Sequence, residues 1–159
     1  MRTLTRTGIG TRTRTRTRTL TDIGLRGAAA VTLTISGYIH AQLYITGYRF
    51  VHIVGVLFLL QASASFALAA LLLLDSPLLL RLGAAGAAAG ALGGFAASRT
   101  IGVFGFTEHG WQPSPQSLIS VLVEVATLLL LAPTFLRRGA ITRAAASVFA
   151  EGADSAPER

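Results

Sequence analysis

Three histidines, two mid-chain glutamates and three tyrosines carry most of the chemistry this chain can offer, because it contains no cysteine. His40, His52 and His109, with Glu108 or Glu124, supply imidazole and carboxylate groups of the kind that hold Zn, Cu or Fe. No pair of them has the local spacing of a metal motif. His40 and His52 form a candidate haem pair if antiparallel helices bring them to matching depth. Glu124 and His40 can also act as a proton or ion relay. The plainest reading is structural: Glu124 pairs with Arg49 or accepts from Tyr44, Tyr48 or His40, and the network fixes helix packing. An ionisable side chain inside a membrane span costs about 2.5–3.5 kcal/mol, so each marks a pair or a function. Soluble-enzyme chemistry finds no foothold: there is no thiol nucleophile, no Gly-rich phosphate loop with lysine and no Gly-x-Ser-x-Gly. Ser36 and His40, four residues apart, come without oxyanion donors. The chain therefore reads as non-enzymatic, with no catalytic residue and no cofactor of its own.

The elements that must position these residues follow from composition. Of the 159 residues, 52% are hydrophobic and 13% charged, about half the charge of an ordinary soluble domain. Residues 27–136 hold only six charges: Arg49, Arg81, Arg99, Asp75, Glu108 and Glu124. Four apolar stretches, about 25–45, 50–74, 78–97 and 117–135, each approach the roughly 20 residues that cross a ~30 Å hydrocarbon core as a helix. The expected fold is all-α, an integral membrane bundle of four transmembrane helices. The first stretch is the least apolar, with Thr32, Thr34, Ser36, His40 and Gln42 inside it. It is too long and too polar for a cleaved signal peptide.

Spacing then assigns faces. Thr32, Ser36, His40 and Tyr44 recur every four residues, and Ser117, Ser120, Glu124 and Thr127 recur at three, four and three, so each set lines one helix face. Gly83, Gly86, Gly90 and Gly93 form a smooth stripe on the third helix. Gly86 and Gly90 have small-xxx-small spacing suited to close backbone approach or to homo-oligomer contact. His40 lies about 8 Å and Glu124 about 11 Å inside the external ends of their helices, at 1.5 Å per residue.

Orientation comes from the arginines, which are all fourteen of the basic residues. With both termini on one side, that side holds twelve of them and the other only Arg49 and Arg99. The excess predicts an N-in/C-in, multi-pass protein of the plasma membrane. Residues 1–24 read as a disordered Arg/Thr-rich cytoplasmic tail, 25–136 as the transmembrane domain and 137–159 as a second cytoplasmic tail. The N-terminal arginines are attracted to anionic inner-leaflet lipid at about 1 kcal/mol each. Without stacking aromatics or a folded reader they do not suit nucleic acid. The long external connection, 98–116, mixes Phe104, Phe106 and Trp111 with Glu108 and His109. Those aromatics fit headgroup depth, and long loops are disproportionately functional.

The run His40-Ala-Gln-Leu43-Tyr44-Ile-Thr-Gly47-Tyr48-Arg49 is followed by Ile53-Val-Gly55-Val-Leu57-Phe58-Leu59-Leu60-Gln61. It resembles a family of small four-span actinobacterial integral membrane proteins with a His-x-x-Leu-Tyr-x-x-Gly-Tyr-Arg motif. The segments Gly102-Val-Phe104-Gly105-Phe106-Thr-Glu108 and Val123-Glu124-Val125 match later motifs of that family in the same order, over about residues 27–135. The resemblance implies topology and no assigned activity. It also implies proline where this chain has His52, a departure that weighs against the haem and multi-histidine readings. The matching polar residues are His40, Tyr44, Tyr48, Arg49, Gln61, Glu108 and Glu124. Together these observations predict an accessory or small-ligand-binding membrane component with a polar pocket on its external side. The alternative is a proton-coupled or metal- or haem-handling transport component.

Overall fold

A computed structural model describes the backbone of residues 8–74 and 77–154, and the side chains of residues 20–74 and 77–136. The regular elements of the described residues are all helical: α1 (Gly8–Thr46), a single 3-10 turn (Tyr48–Phe50), α2 (Val54–Leu74), α3 (Leu78–Thr100) and α4 (Gln116–Asp154). The helices run up, down, up and down. α1 packs between α2 and α4, and α3 closes the ring on the far side against the same two neighbours.

Among the described residues, three stretches are long and apolar enough to cross a membrane: Val54–Leu74, Leu78–Thr100 and Gln116–Leu136. The expected first span, 25–45, is helical but falls outside that class because of its Thr, Ser and His content. Its inner face sets Ser36 and His40 among buried Ala29, Leu33, Ile39 and Leu43, while Val31, Ile35, Tyr38 and Ile45 point outward and are exposed.

Several boundaries differ from expectation. α1 begins at Gly8, so residues 8–24 are helical rather than disordered. Arginine is a good helix former, and a helix already nucleated by its packed part extends cheaply. Asp22 also pins this end, because Arg81 at the start of α3 grips its carboxylate through two nitrogens at 3.0–3.2 Å and donates to the Thr134 hydroxyl of α4 as well. Arg26 donates to the Leu72 and Leu73 carbonyls at the end of α2 (2.9–3.3 Å), satisfying groups that a helix terminus otherwise leaves open. α4 continues past the expected end of its span to Asp154, with Pro133 inside the helix. Asp75 and Ser76, the expected turn before α3, lie outside the described residues.

α2 starts at Val54, four residues later than expected. The 3-10 turn and Ile53 at φ +63° intervene, so Arg49 and His52 precede the helix instead of entering with it. Gly55 is obligatory at this joint: a Cβ there would lie 2.5 Å from the Tyr48 carbonyl oxygen, a backbone atom that cannot move aside.

The two ends of the bundle differ. Near the α2–α3 turn, Ala29, Ala30, Leu33, Ala69, Leu72, Ala84 and Leu131 form an apolar core. The opposite half holds most of the buried polar groups.

Candidate functional site

The first layer of the polar half is a seam between α1 and α4. The Ser36 hydroxyl donates to Glu124 Oε1, and both residues are buried. Glu124 Oε2 is buried with no hydrogen-bond partner. One turn further in, the Thr127 hydroxyl lies 2.7 Å from that of Thr32. One turn further out, His40 Nδ1 lies 2.9 Å from the Ser36 carbonyl oxygen and 3.5 Å from its hydroxyl. Thr32 and Ser36, four apart on α1, thus meet Thr127 and Glu124, three apart on α4.

A second layer is the connection 101–115, held down by Arg99. Its Nε donates to the Gly110 carbonyl at 2.9 Å. Nη1 donates to Ser98 Oγ at 2.7 Å and the Phe95 carbonyl at 3.4 Å. Nη2 donates to Glu108 Oε2 at 3.0 Å and to the Gln112 carbonyl. The guanidinium also lies 3.7 Å from the Phe95 ring centroid, and Phe95 in turn packs against Trp111. The loop can fold back this sharply because Gly102 (φ +79°) ends α3 and because Phe104 (φ +49°) and Gly105 (φ +79°) make the tight Val103–Phe106 turn, where positive φ at both central residues suits a hairpin.

Glu108 ties the two layers together. Its Oε1 accepts from the Tyr48 hydroxyl, and the Tyr48 ring stacks on Phe58 at 4.4 Å, which meets the His40 ring at 5.5 Å. Burial first, then the hydrogen bond and negative charge of Glu108, push the Tyr48 phenol well above its usual pKa of 10.0. A phenol so shifted contributes stability that is complete below about pH 10 and is lost as pH rises further, because the unfolded chain ionises first. We expect the emission of Trp111, the single tryptophan, to report loosening of the loop on alkaline titration. Tyr48→Phe should flatten that alkaline profile while weakening the loop at neutral pH. An unchanged profile in the variant would assign the transition to another group.

Between α2 and α3, beneath this loop, lies a cavity of about 580 Å³, within the usual range of about 300–1,000 Å³ for small-molecule sites. Leu57, Leu60, Ala64 and Leu68 line one wall and Gly83, Ala87, Gly90 and Ala91 the other. Polar groups gather at the loop end: His40, Tyr48, Gln61, Arg99, Glu108 and Ser120. The slot is open sideways, since Leu57 and Leu60 are 43% and 59% exposed.

The structure divides the expected polar cluster. His40, Tyr48, Gln61 and Glu108 converge on the cavity, whereas Glu124 sits behind it in the α1–α4 seam. The expected partners of Glu124 are not its partners: Arg49 is exposed and rests over the Phe50 ring at 4.6 Å, and Tyr44 is half-buried. Both lie outside the cavity lining. His52 and His109 are exposed and apart from His40. Among the described residues no group of three His, Asp or Glu side chains is arranged to hold a metal ion.

The glycine stripe is also used differently from expectation. A Cβ at Gly86, Gly90 or Gly93 would meet nothing within 4 Å, and Gly83 faces only the tip of Leu68. The glycines of α3 therefore leave space rather than seat a neighbouring helix of this chain. Close contact falls instead at Gly55 and at Gly37, where an added Cβ would lie 3.2 Å from the Phe66 ring. Sequence reading missed Ser36 as the partner of Glu124, Arg99 as the anchor of the loop, and Phe58. Only the four-residue spacing of Ser36 and His40 signalled any of them.

No protein-family model, curated protein or solved structure matches this chain.

Proposed function

We propose that this is a four-span, N-in/C-in integral membrane protein of the plasma membrane. In this reading it acts as a non-enzymatic binding or accessory component for a small amphiphilic ligand held between α2 and α3. The observation that carries the reading is the cavity itself, apolar along its length, polar at the loop end and open sideways where the helices would face lipid. The outward apolar stripe Val31, Ile35, Tyr38 and Ile45 supports α1 as the fourth span, and the twelve-to-two arginine asymmetry supports the orientation. The four-span family resemblance agrees with both. Because the chain lacks cysteine, His109→Cys alone should react with a membrane-impermeant maleimide from outside intact cells. Labelling only after lysis would reverse the topology.

The binding reading is tested by filling the cavity. Gly90 lines it and has open space around a Cβ, so Gly90→Leu should fold normally and occupy the slot. Photolabelling of the purified protein by alkyl-chain diazirine probes, mapped to α2 and α3, is expected in the native chain and abolished in Gly90→Leu. Equal labelling of both proteins would remove the cavity as the binding site.

A further inference from the structure

Which head group the cavity accepts follows from the hydrogen-bonding groups still free at its polar end. Arg99 has five N–H donors, and all five are engaged, by Gly110, Ser98, Phe95, Glu108 and Gln112. Both oxygens of Glu108 are taken as well, by Tyr48 and Arg99. The single cation and single carboxylate of the lining therefore satisfy each other. An anionic head finds no free guanidinium donor, and a cationic head finds a carboxylate whose charge Arg99 already balances.

What remains at the polar end is a set of neutral groups, two acceptors among them. The Ser36 hydroxyl proton is committed to Glu124 Oε1, and the Ser36 carbonyl can only accept. The proton of the neutral His40 ring therefore sits on Nδ1, which donates to that carbonyl at 2.9 Å. This leaves Nε2, on the ring edge away from its own helix, as a lone-pair acceptor towards the cavity. Gln61 uses one amide N–H on the Ala87 carbonyl at 3.2 Å, which leaves its Oε1 to accept and its second N–H, like the Ser120 hydroxyl of the lining, to donate. His40 and Gln61 flank Phe58, three residues before Gln61 on α2, so the two acceptors serve one region of the cavity.

We infer that the site takes an uncharged amphiphile with a hydroxyl head, its O–H donated to His40 Nε2 or Gln61 Oε1 and its apolar chain lying between α2 and α3. The inference rests on the cavity being the ligand site. The chain enters sideways past Leu57 and Leu60, from the lipid, so the head need not cross the packed loop. Seam and cavity are then one device: Glu124 and Ser36 hold the histidine in the tautomer that reads a donor.

Four probes with the same chain and mid-chain diazirine test this on the full-length protein in phospholipid nanodiscs: hexadecanol, its methyl ether, hexadecanoate and hexadecyltrimethylammonium. Hexadecanol is expected to label the α2 and α3 walls with an apparent affinity about tenfold better than the ether, the value of one well-made hydrogen bond in a dry site. Gln61→Leu and His40→Phe should each reduce that preference while chain labelling persists, and Gln61→Leu suffices if the histidine variant does not fold. Equal labelling by alcohol and ether, or preference for either charged probe, overturns the hydroxyl assignment and leaves the cavity as a chain site. Failure of all four probes to label the walls overturns the binding function itself.

Discussion

Arg99→Ala is expected to lower stability by about 3–5 kcal/mol, the usual cost of removing one partner from a largely buried ion pair. The Arg99 and Glu108 side chains are only 15% and 16% exposed, so the stranded Glu108 carboxylate cannot recover its solvation. The same change frees the Gly110 and Gln112 carbonyls, which lose their tether to α3. Arg99→Lys should recover little, because an ammonium on a flexible stem cannot reach in several directions at once or stack on Phe95 as the planar fork does. Unfolding by SDS in mixed micelles, followed by Trp111 emission, measures both variants. A native midpoint for Arg99→Ala would show that the loop is held by its own turns and the aromatic contacts.

Ser36→Ala is the second large effect, expected at about 2–3 kcal/mol. It removes the one hydrogen bond received by Glu124, whose other oxygen is already buried and unpartnered, leaving a carboxyl with no partner inside the bundle. Replacing both residues by apolar ones should cost much less than the single change, since two matched apolar groups avoid the unpaired polar atom. A Ser36→Ala/Glu124→Leu double variant more stable than Ser36→Ala would therefore identify the pair as a mutual solution to burial. A double variant at least as unstable as the sum of the singles would show that Glu124 is stabilised by something other than Ser36.

The two variants probe different parts of one site, and they differ in how visible they were beforehand. Glu124 stands out in any reading, as a carboxylate amid Val, Leu and Ala. Ser36 does not, because one serine on a helix with several hydroxyls is ordinary. Helical spacing says that Ser36 and His40 share a face, and it says the same of Ser120 and Glu124. It does not fix how far each helix is rotated towards its neighbour, and that rotation decides whether Glu124 meets Ser36 or Arg49. The loop is harder still. It has no period, and Arg99 grips residues 9 to 13 positions away, so its partners follow from how the chain turns at Gly102 and Gly105.

The glycines of α3 make the same distinction. Their spacing is read directly, and small residues at that spacing do permit close approach. Whether a neighbour takes up the space depends on the path of α2, which here stands away and leaves the cavity. By itself, the order of residues determined the helical, lipid-compatible character of the chain and the placing of four of its six mid-chain charges towards one end, because both depend on local composition and on periods of three and four. Only the tertiary structure decided that Glu124 belongs to Ser36, that Arg49 stays outside, and that a cavity with two free acceptors lies between α2 and α3. Those outcomes depend on helix rotation and separation, set by contacts among residues far apart in the chain.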